Sequence, residues 1–96
     1  MNAPLILPPR LDSAATTRLA ETLRAAAGKP LTMDGSGVVF GGALGLQALA
    51  AARRDWAAAG LEFRLKEPSG ALEEACRILG IVPEDIGITG TEEDAA

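Results

Sequence analysis

The chain has 96 residues, with nine Lys and Arg against 13 Asp and Glu, which gives a formal net charge of −4. This length predicts a single domain with a small hydrophobic core. The basic residues are scattered and outnumbered, which argues against nucleic-acid binding through phosphate neutralisation. The sequence has no histidine and a single cysteine. It therefore excludes His-based metal sites, Ser-His-Asp triads, Cys-His pairs and internal disulfides, and we expect no catalytic residues, metal or cofactor.

The hydropathy pattern predicts a cytoplasmic protein without direct membrane insertion. The longest stretch without charge, residues 35–52, contains five glycines, a serine and a glutamine. Such a composition suits a membrane-spanning helix poorly. The first ten residues, MNAPLILPPR, lack the basic start and the long apolar run of a secretory signal.

The first third of the chain predicts a strand, a helix and a second strand. Residues 4–7 form a short apolar run that a pair of prolines ends, as expected of an edge strand or a strand end. Asp12 or Ser13 can cap a helix over residues 13–27, in which apolar residues recur every three or four positions. After a glycine, residues 31–34 form the second strand.

The middle of the chain continues this alternation. The β-prone run at residues 38–40 extends a strand or lies in a buried loop. A second helix is predicted over about residues 44–59. Residues 61–66, LEFRLK, alternate apolar and charged side chains, which is typical of a half-buried strand. Ser69 can cap a third helix, which Gly80 ends.

The order of these elements predicts an α/β fold. We expect a small, open, largely parallel or mixed sheet of four strands, with three to four helices on one face or both. Residues 1–82 are assigned to this single domain. Residues 83–96 add one helical turn near residues 83–86 and an acidic tail, whose last residues, 92–96, we expect to be frayed.

A glycine-rich stretch at residues 34–49, DGSGVVFGGALGLQAL, is the main candidate for a functional site. Glycines between a strand and a helix can cradle a phosphate, or they can form a tight loop that another protein recognises. Gly35, Gly37 and Gly41 have the spacing G-x-G-x-x-x-G, which is one residue off the dinucleotide fingerprint, and no GK[ST] ending follows. The pattern therefore does not support nucleotide binding.

Two single side chains have a functional and a structural interpretation. Cys76 lies between Leu72 and Leu79 on the predicted inner stripe of the third helix, which favours a buried hydrophobic residue over a nucleophile. Trp56, late in the second helix, packs in the core or anchors a partner. The adjacent carboxylates in and after the third helix are interpreted as solvated surface charges.

Four segments, taken in order, carry a resemblance to a known family. They are LPPRLDSAATTRLAETL, LTMDGSGV, ALGLQAL and GLEFRLKEPSGALEEACRILGI, which lie within residues 4–81. They resemble, in turn, a strand with an LD turn and first helix, a central strand ending in D-x-S-x-V, a second-helix opening S-G-L-x-x-L, and a last strand and helix. This is the pattern of the STAS domain, found in bacterial anti-sigma factor antagonists and in the cytoplasmic tails of sulfate transporters.

The resemblance also places a regulatory position in this sequence. In the antagonists the second helix opens with D-S-S-G-L, and its second serine accepts a phosphate from a partner kinase, which breaks the complex. The matching residues here are Gly42, Ala43, Leu44, Gly45 and Leu46. Leu44 stands at the phospho-acceptor position and has no hydroxyl group, so the resemblance implies a binding loop without the phosphorylation switch.

The resemblance implies a non-catalytic regulatory domain that binds an anti-sigma factor or a histidine-kinase-like regulator, of the chemotaxis or two-component type. The residues expected at the interface are Ser36, Gly41, Gly42, Ala43, Leu44, Gly45 and Gln47. Leu44 either points outward to the partner or folds inward. Ser36 is a substitute phospho-acceptor, although its place beside glycine favours a turn or cap role.

A second function is compatible with the same resemblance. Small stand-alone STAS proteins also serve as cytoplasmic accessory subunits of ABC-type lipid transporters, where the domain stabilises an assembly and does not switch. A neighbouring transporter gene would favour this alternative, and a neighbouring kinase or sigma factor would favour the regulatory one. In either case we expect a monomer or a weak homodimer formed through an edge strand.

Overall fold

The computed structural model describes residues 3–89. The acidic residues 92–96, which the sequence predicts to be frayed, lie outside this range. Within it the chain forms an α/β fold of five short strands, three α-helices and one 3₁₀ turn. In chain order these are β1 (Leu5–Ile6), β2 (Arg10–Leu11), α1 (Ser13–Ala25), β3 (Leu31–Asp34), β4 (Phe40–Gly41), α2 (Ala43–Ala58), β5 (Phe63–Lys66), α3 (Gly70–Leu79) and the 3₁₀ turn (Pro83–Ile86).

The strands form two small parallel sheets in place of the expected single sheet of four strands. One sheet has the order β1-β3-β5, and the other consists of β2 and β4. The proline pair at residues 8 and 9 explains the division, because proline has no N–H with which to continue the pairing of β1. After the prolines the chain leaves the first sheet, and Arg10 and Leu11 pair with Phe40 and Gly41 in the second sheet.

Helices α1 and α2 lie on one face of the three-stranded sheet. Both crossovers, from β1 to β3 and from β3 to β5, step in the same direction, and right-handed crossovers then place both helices on the same side. The two helices pack against each other. The alternation predicted for β5 is confirmed, since Phe63 and Leu65 are buried and Arg64 and Lys66 are exposed.

Side-chain caps set the start of two helices. The Asp12 Oδ1 atom accepts a hydrogen bond from the Ala15 N–H (2.9 Å), and the Ser69 Oγ atom accepts one from the Leu72 N–H (3.0 Å). Helix α1 ends at Ala25, two residues before the predicted end. Strand β5 begins at Phe63, because the Leu61 N–H instead donates to the Trp56 carbonyl and closes the end of α2.

One hydrophobic core joins all the layers, and it extends past residue 82. Ile86 in the 3₁₀ turn is fully buried, and Ile88 is buried beyond it. Trp56 is also part of the core. Its indole N–H donates to the Lys29 carbonyl (2.7 Å), and its ring lies 5.4 Å from the Phe63 ring. No helix among residues 3–89 is both long enough and apolar enough to span a bilayer.

Replacing Trp56 by Phe removes the indole N–H and part of the buried volume. We expect the free energy of unfolding to fall by about 1–3 kcal/mol, because the Lys29 carbonyl loses its donor and a smaller ring packs less well. Urea denaturation followed by circular dichroism measures this change. Lys29→Ala is the control, since the acceptor is a backbone carbonyl, and it should change stability by less than about 0.5 kcal/mol. Equal effects of the two substitutions would contradict this account.

Candidate functional site

The glycine-rich stretch begins with a tight turn after β3. The Asp34 Oδ1 atom accepts a hydrogen bond from the Ser36 N–H (2.8 Å). This bond lowers the pKa of the Asp34 carboxyl, and the Ser36 hydroxyl and nearby Lys66 lower it further. Ser36 thus takes part in a local Asx turn, as its place beside glycine favours. Its side chain is exposed.

The residues predicted to contact a partner have different environments at the opening of α2. Gly42 is the N-cap residue of the helix. Ala43 and Leu44 form its exposed first turn, and the Leu44 side chain is 60% exposed. Leu44 therefore points outward in this structure. Gln47, one turn later, is also exposed, whereas Gly41 is only partly so.

Gly45 does not lie on the surface, which corrects its prediction as a contact residue. It is buried where α2 approaches β2 and α1. A Cβ atom at this position would lie 2.9 Å from the Leu11 Cβ and 3.2 Å from the Thr16 Oγ1. At Gly42 a Cβ atom would lie 2.8 Å from the Leu11 carbonyl oxygen. The two glycines therefore allow backbones to pack closely, a role that requires no ligand.

The structure adds residues from α3 to this site. A groove of about 420 Å³ runs between the β4 segment and the outer face of α3. Among residues 3–89 seven large apolar side chains are exposed, and four of them line this groove. We call these four the apolar patch: Val39, Phe40, Ile78 and Leu79. Leu44 follows Ala43, which also lines the groove.

Sequence reasoning missed the contribution of α3. It placed Leu79 on the inner stripe of the helix, but Leu79 is 41% exposed and Ile78 is 67% exposed. The inner face is formed by Leu72 and Cys76, which are fully buried. An isoleucine on the outer face of an amphipathic helix was the available signal, since such a position normally carries a polar residue.

Charged groups frame the groove. The Arg10 guanidinium carbon lies 4.8 Å from the centroid of the Phe40 ring, within range of a cation–π interaction. Glu74, which lines the groove, pairs with Arg77 one turn later on α3. Hydrogen bonds from Arg77 lower the pKa of the Glu74 carboxyl. The patch thus has an apolar centre with both signs of charge around it.

Cys76 lies on the buried face of α3. Burial, and secondarily Glu73, raises the pKa of the Cys76 thiol, so the sulfur stays protonated and is a poor nucleophile. Within residues 3–89 no three or more His, Cys, Asp or Glu side chains are grouped as a metal site would need. What the arrangement offers is exposed apolar area beside a helix opening.

A second groove of comparable size, about 410 Å³, runs between the C-terminal parts of α1 and α2. It is lined mainly by alanines, with Trp56 and Leu23 below them and with Arg24 and Asp55 also in its lining. Apart from Trp56, for which a partner anchor was one of two interpretations, none of the residues predicted from the sequence to bind a partner lines it. The apolar patch is therefore the stronger candidate, because it adjoins those residues and exposes larger side chains.

No family model, curated protein or solved structure matches the chain. The likeness to STAS domains rests on the segments quoted from the sequence.

Gly45→Ala tests the close packing at the opening of α2. We expect it to destabilise the fold by about 1–3 kcal/mol, because the added methyl group meets the rigid Leu11 Cβ and the overpacking exceeds the gain in helix propensity. Gly70→Ala is the matched control in another helix, since a Cβ atom there would have no neighbour within 4 Å. It should stabilise by up to about 1 kcal/mol. Stabilisation by both substitutions, measured by urea denaturation, would contradict this packing.

The Asx turn predicts a specific dependence of stability on pH. Since folding lowers the pKa of Asp34, its ionised form stabilises the fold above the unfolded-state pKa of about 4. This contribution is lost as the pH falls through the lowered folded-state value. Asp34→Asn should lack that part of the acid sensitivity, while its amide oxygen still accepts from the Ser36 N–H. Urea unfolding between about pH 7 and pH 3 measures the difference, and parallel curves for parent and variant would contradict it.

Proposed function

We propose that this chain is a STAS-like regulatory domain without catalytic activity, which binds a protein partner through the apolar patch and the opening of α2. The observation that carries the proposal is the concentration of exposed apolar side chains at the position where the resemblance implies partner contact. Four large ones line one groove, and the exposed Leu44 follows Ala43, which also lines it. Exposed apolar clusters of this kind mark interaction surfaces more often than isolated side chains do.

The physical basis of binding is apolar burial at a preformed surface. Full burial of a leucine or isoleucine side chain contributes roughly 1.5–3 kcal/mol relative to exposure. A groove between two elements gives a partner side chain contacts on both sides. The ion pair of Glu74 with Arg77 lies at the side of the patch, where charged residues affect partner choice more than affinity.

Leu44 determines whether phosphorylation can switch the proposed interaction at this position. A phosphoserine at this position would add about two negative charges and disrupt an apolar interface through repulsion and desolvation. Leucine accepts no phosphoryl group, and its exposed side chain adds apolar area instead. We therefore propose a contact that is not switched at this position, and control that acts through the partner or its abundance.

The resemblance supplies the class of partner. We propose a cytoplasmic anti-sigma factor with a histidine-kinase-like ATP-binding fold, or a chemotaxis or two-component kinase. The alternative is an accessory role in an ABC-type lipid transporter. The experiment below distinguishes this role from binding to a kinase-type regulator.

The test is to tag the chain in its native cells, identify what co-purifies, and repeat the experiment with Leu44→Asp and Ile78→Asp. Each variant puts a charge into the proposed interface, and we expect each to reduce retention of the kinase-type partner roughly tenfold or more. Ala51→Asp is the matched control, because it makes the same charge change at an exposed position of α2 outside the patch. It should retain the partner at the parental level.

Three results would contradict the proposal. Recovery of transporter subunits in place of a kinase-type regulator would make the domain an assembly component. Full retention of the partner by both patch variants would move the interface elsewhere, and a selective loss in Ala51→Asp would move it to the groove between α1 and α2.

A further inference from the structure

The segment that carries half of the apolar patch has little regular structure of its own and is held by its neighbours. On one side, the Val39 and Phe40 N–H groups both donate to the Pro9 carbonyl (2.7 and 3.1 Å). The Gly42 N–H donates to the Leu11 carbonyl (3.1 Å). These hydrogen bonds hold residues 39–42 against the chain around β2. They do not hold the side that faces α3.

Ser69 makes the connection towards α3. Its hydroxyl donates a hydrogen bond to the Val38 carbonyl (2.6 Å) while accepting one from the Leu72 N–H (3.0 Å). Its backbone N–H donates to the Gly35 carbonyl (3.1 Å). A single residue therefore caps α3 and holds both ends of the turn at residues 35–38, which lies some thirty positions earlier in the chain.

We infer that Ser69 is a positioning residue of the docking surface: its hydroxyl fixes the turn before β4 to the start of α3, and so sets Val39 and Phe40 against Ile78 and Leu79. The effect of Ser69 on partner binding rests on the proposed function, whereas its hydrogen bonds do not. The residue type matters because a serine hydroxyl donates and accepts at once, whereas the carboxylate of an aspartate cap only accepts. A helix cap alone would be satisfied by either.

Substitutions can separate the two bonds. Ser69→Asp keeps an acceptor for the Leu72 N–H and removes the donor to Val38. Ser69→Gly also removes the donor, introduces no charge, and caps almost as well as serine. Ser69→Thr keeps both functions. Asp12→Ala is the matched control, because the Asp12 side chain caps α1 by accepting from the Ala15 N–H and makes no hydrogen bond to residues 35–42.

The primary measurement is amide hydrogen exchange, by NMR, of Val39, Phe40 and Gly42 in the isolated full chain. Losing one ordinary hydrogen bond should speed their exchange about five- to tenfold in Ser69→Asp and Ser69→Gly. Ser69→Thr should restore parental rates, and Asp12→Ala should leave them unchanged. Amides in the middle of α3 should keep their protection in all four variants. Parental exchange of the three loop amides in both donor-lacking variants would overturn the inference.

A second readout tests the consequence for docking, with the protein captured by the tagged parent as the probe. We expect Ser69→Asp and Ser69→Gly to reduce its retention, and Ser69→Thr to restore it. If Leu44→Asp abolishes retention while the two loosened variants keep it, the positioning role is wrong. If hydrogen exchange rises as expected while neither the Ser69 variants nor the patch variants change retention of the partner, the proposed docking surface is wrong. In that case only the role of Ser69 in holding residues 35–38 is supported.

Discussion

The path of residues 35–42 is the constraint on which the rest of the proposed surface depends. This segment leaves β3, turns at Ser36 and joins α2, and it is held between two unrelated parts of the chain. The Pro9 and Leu11 carbonyls bind it on one side and Ser69 binds it on the other. Along this path Val39 and Phe40 line a groove together with Ile78 and Leu79 of α3.

Two glycines at the end of this segment and in the first turn of α2, Gly42 and Gly45, allow close packing against β2. Gly45 lets α2 approach β2 at a distance that a methyl group would prevent, and Gly42 lies against the Leu11 carbonyl. The phosphate-cradle interpretation of the glycines is therefore unnecessary. The surface that results combines an apolar groove with an exposed leucine at the opening of α2. We propose that it is buried stably against a protein and is not released by phosphorylation.

Local signals in the sequence predicted most of the elements but not their assembly. Ser69 was identified as a cap, Asp12 was one of two candidates with Ser13, and the alternation in residues 61–66 correctly gave the buried face of β5. The division into two sheets was missed, because pairing between β2 and β4 depends on where the chain goes after its proline pair. The burial of Gly45 and the joining of α3 to the site were missed for a similar reason. Both arise from contacts between segments far apart in sequence, which periodicity does not report.

The central claim is that a partner covers a surface built from two distant segments, the β4–α2 opening and the outer face of α3. Hydrogen exchange of the chain, free and in complex with its captured partner, tests this most directly. The account predicts slower exchange in the complex at residues 39–44 and 74–79, with no change along the groove between α1 and α2. Protection confined to that α1–α2 groove, with residues 39–44 and 74–79 unaffected, would contradict it.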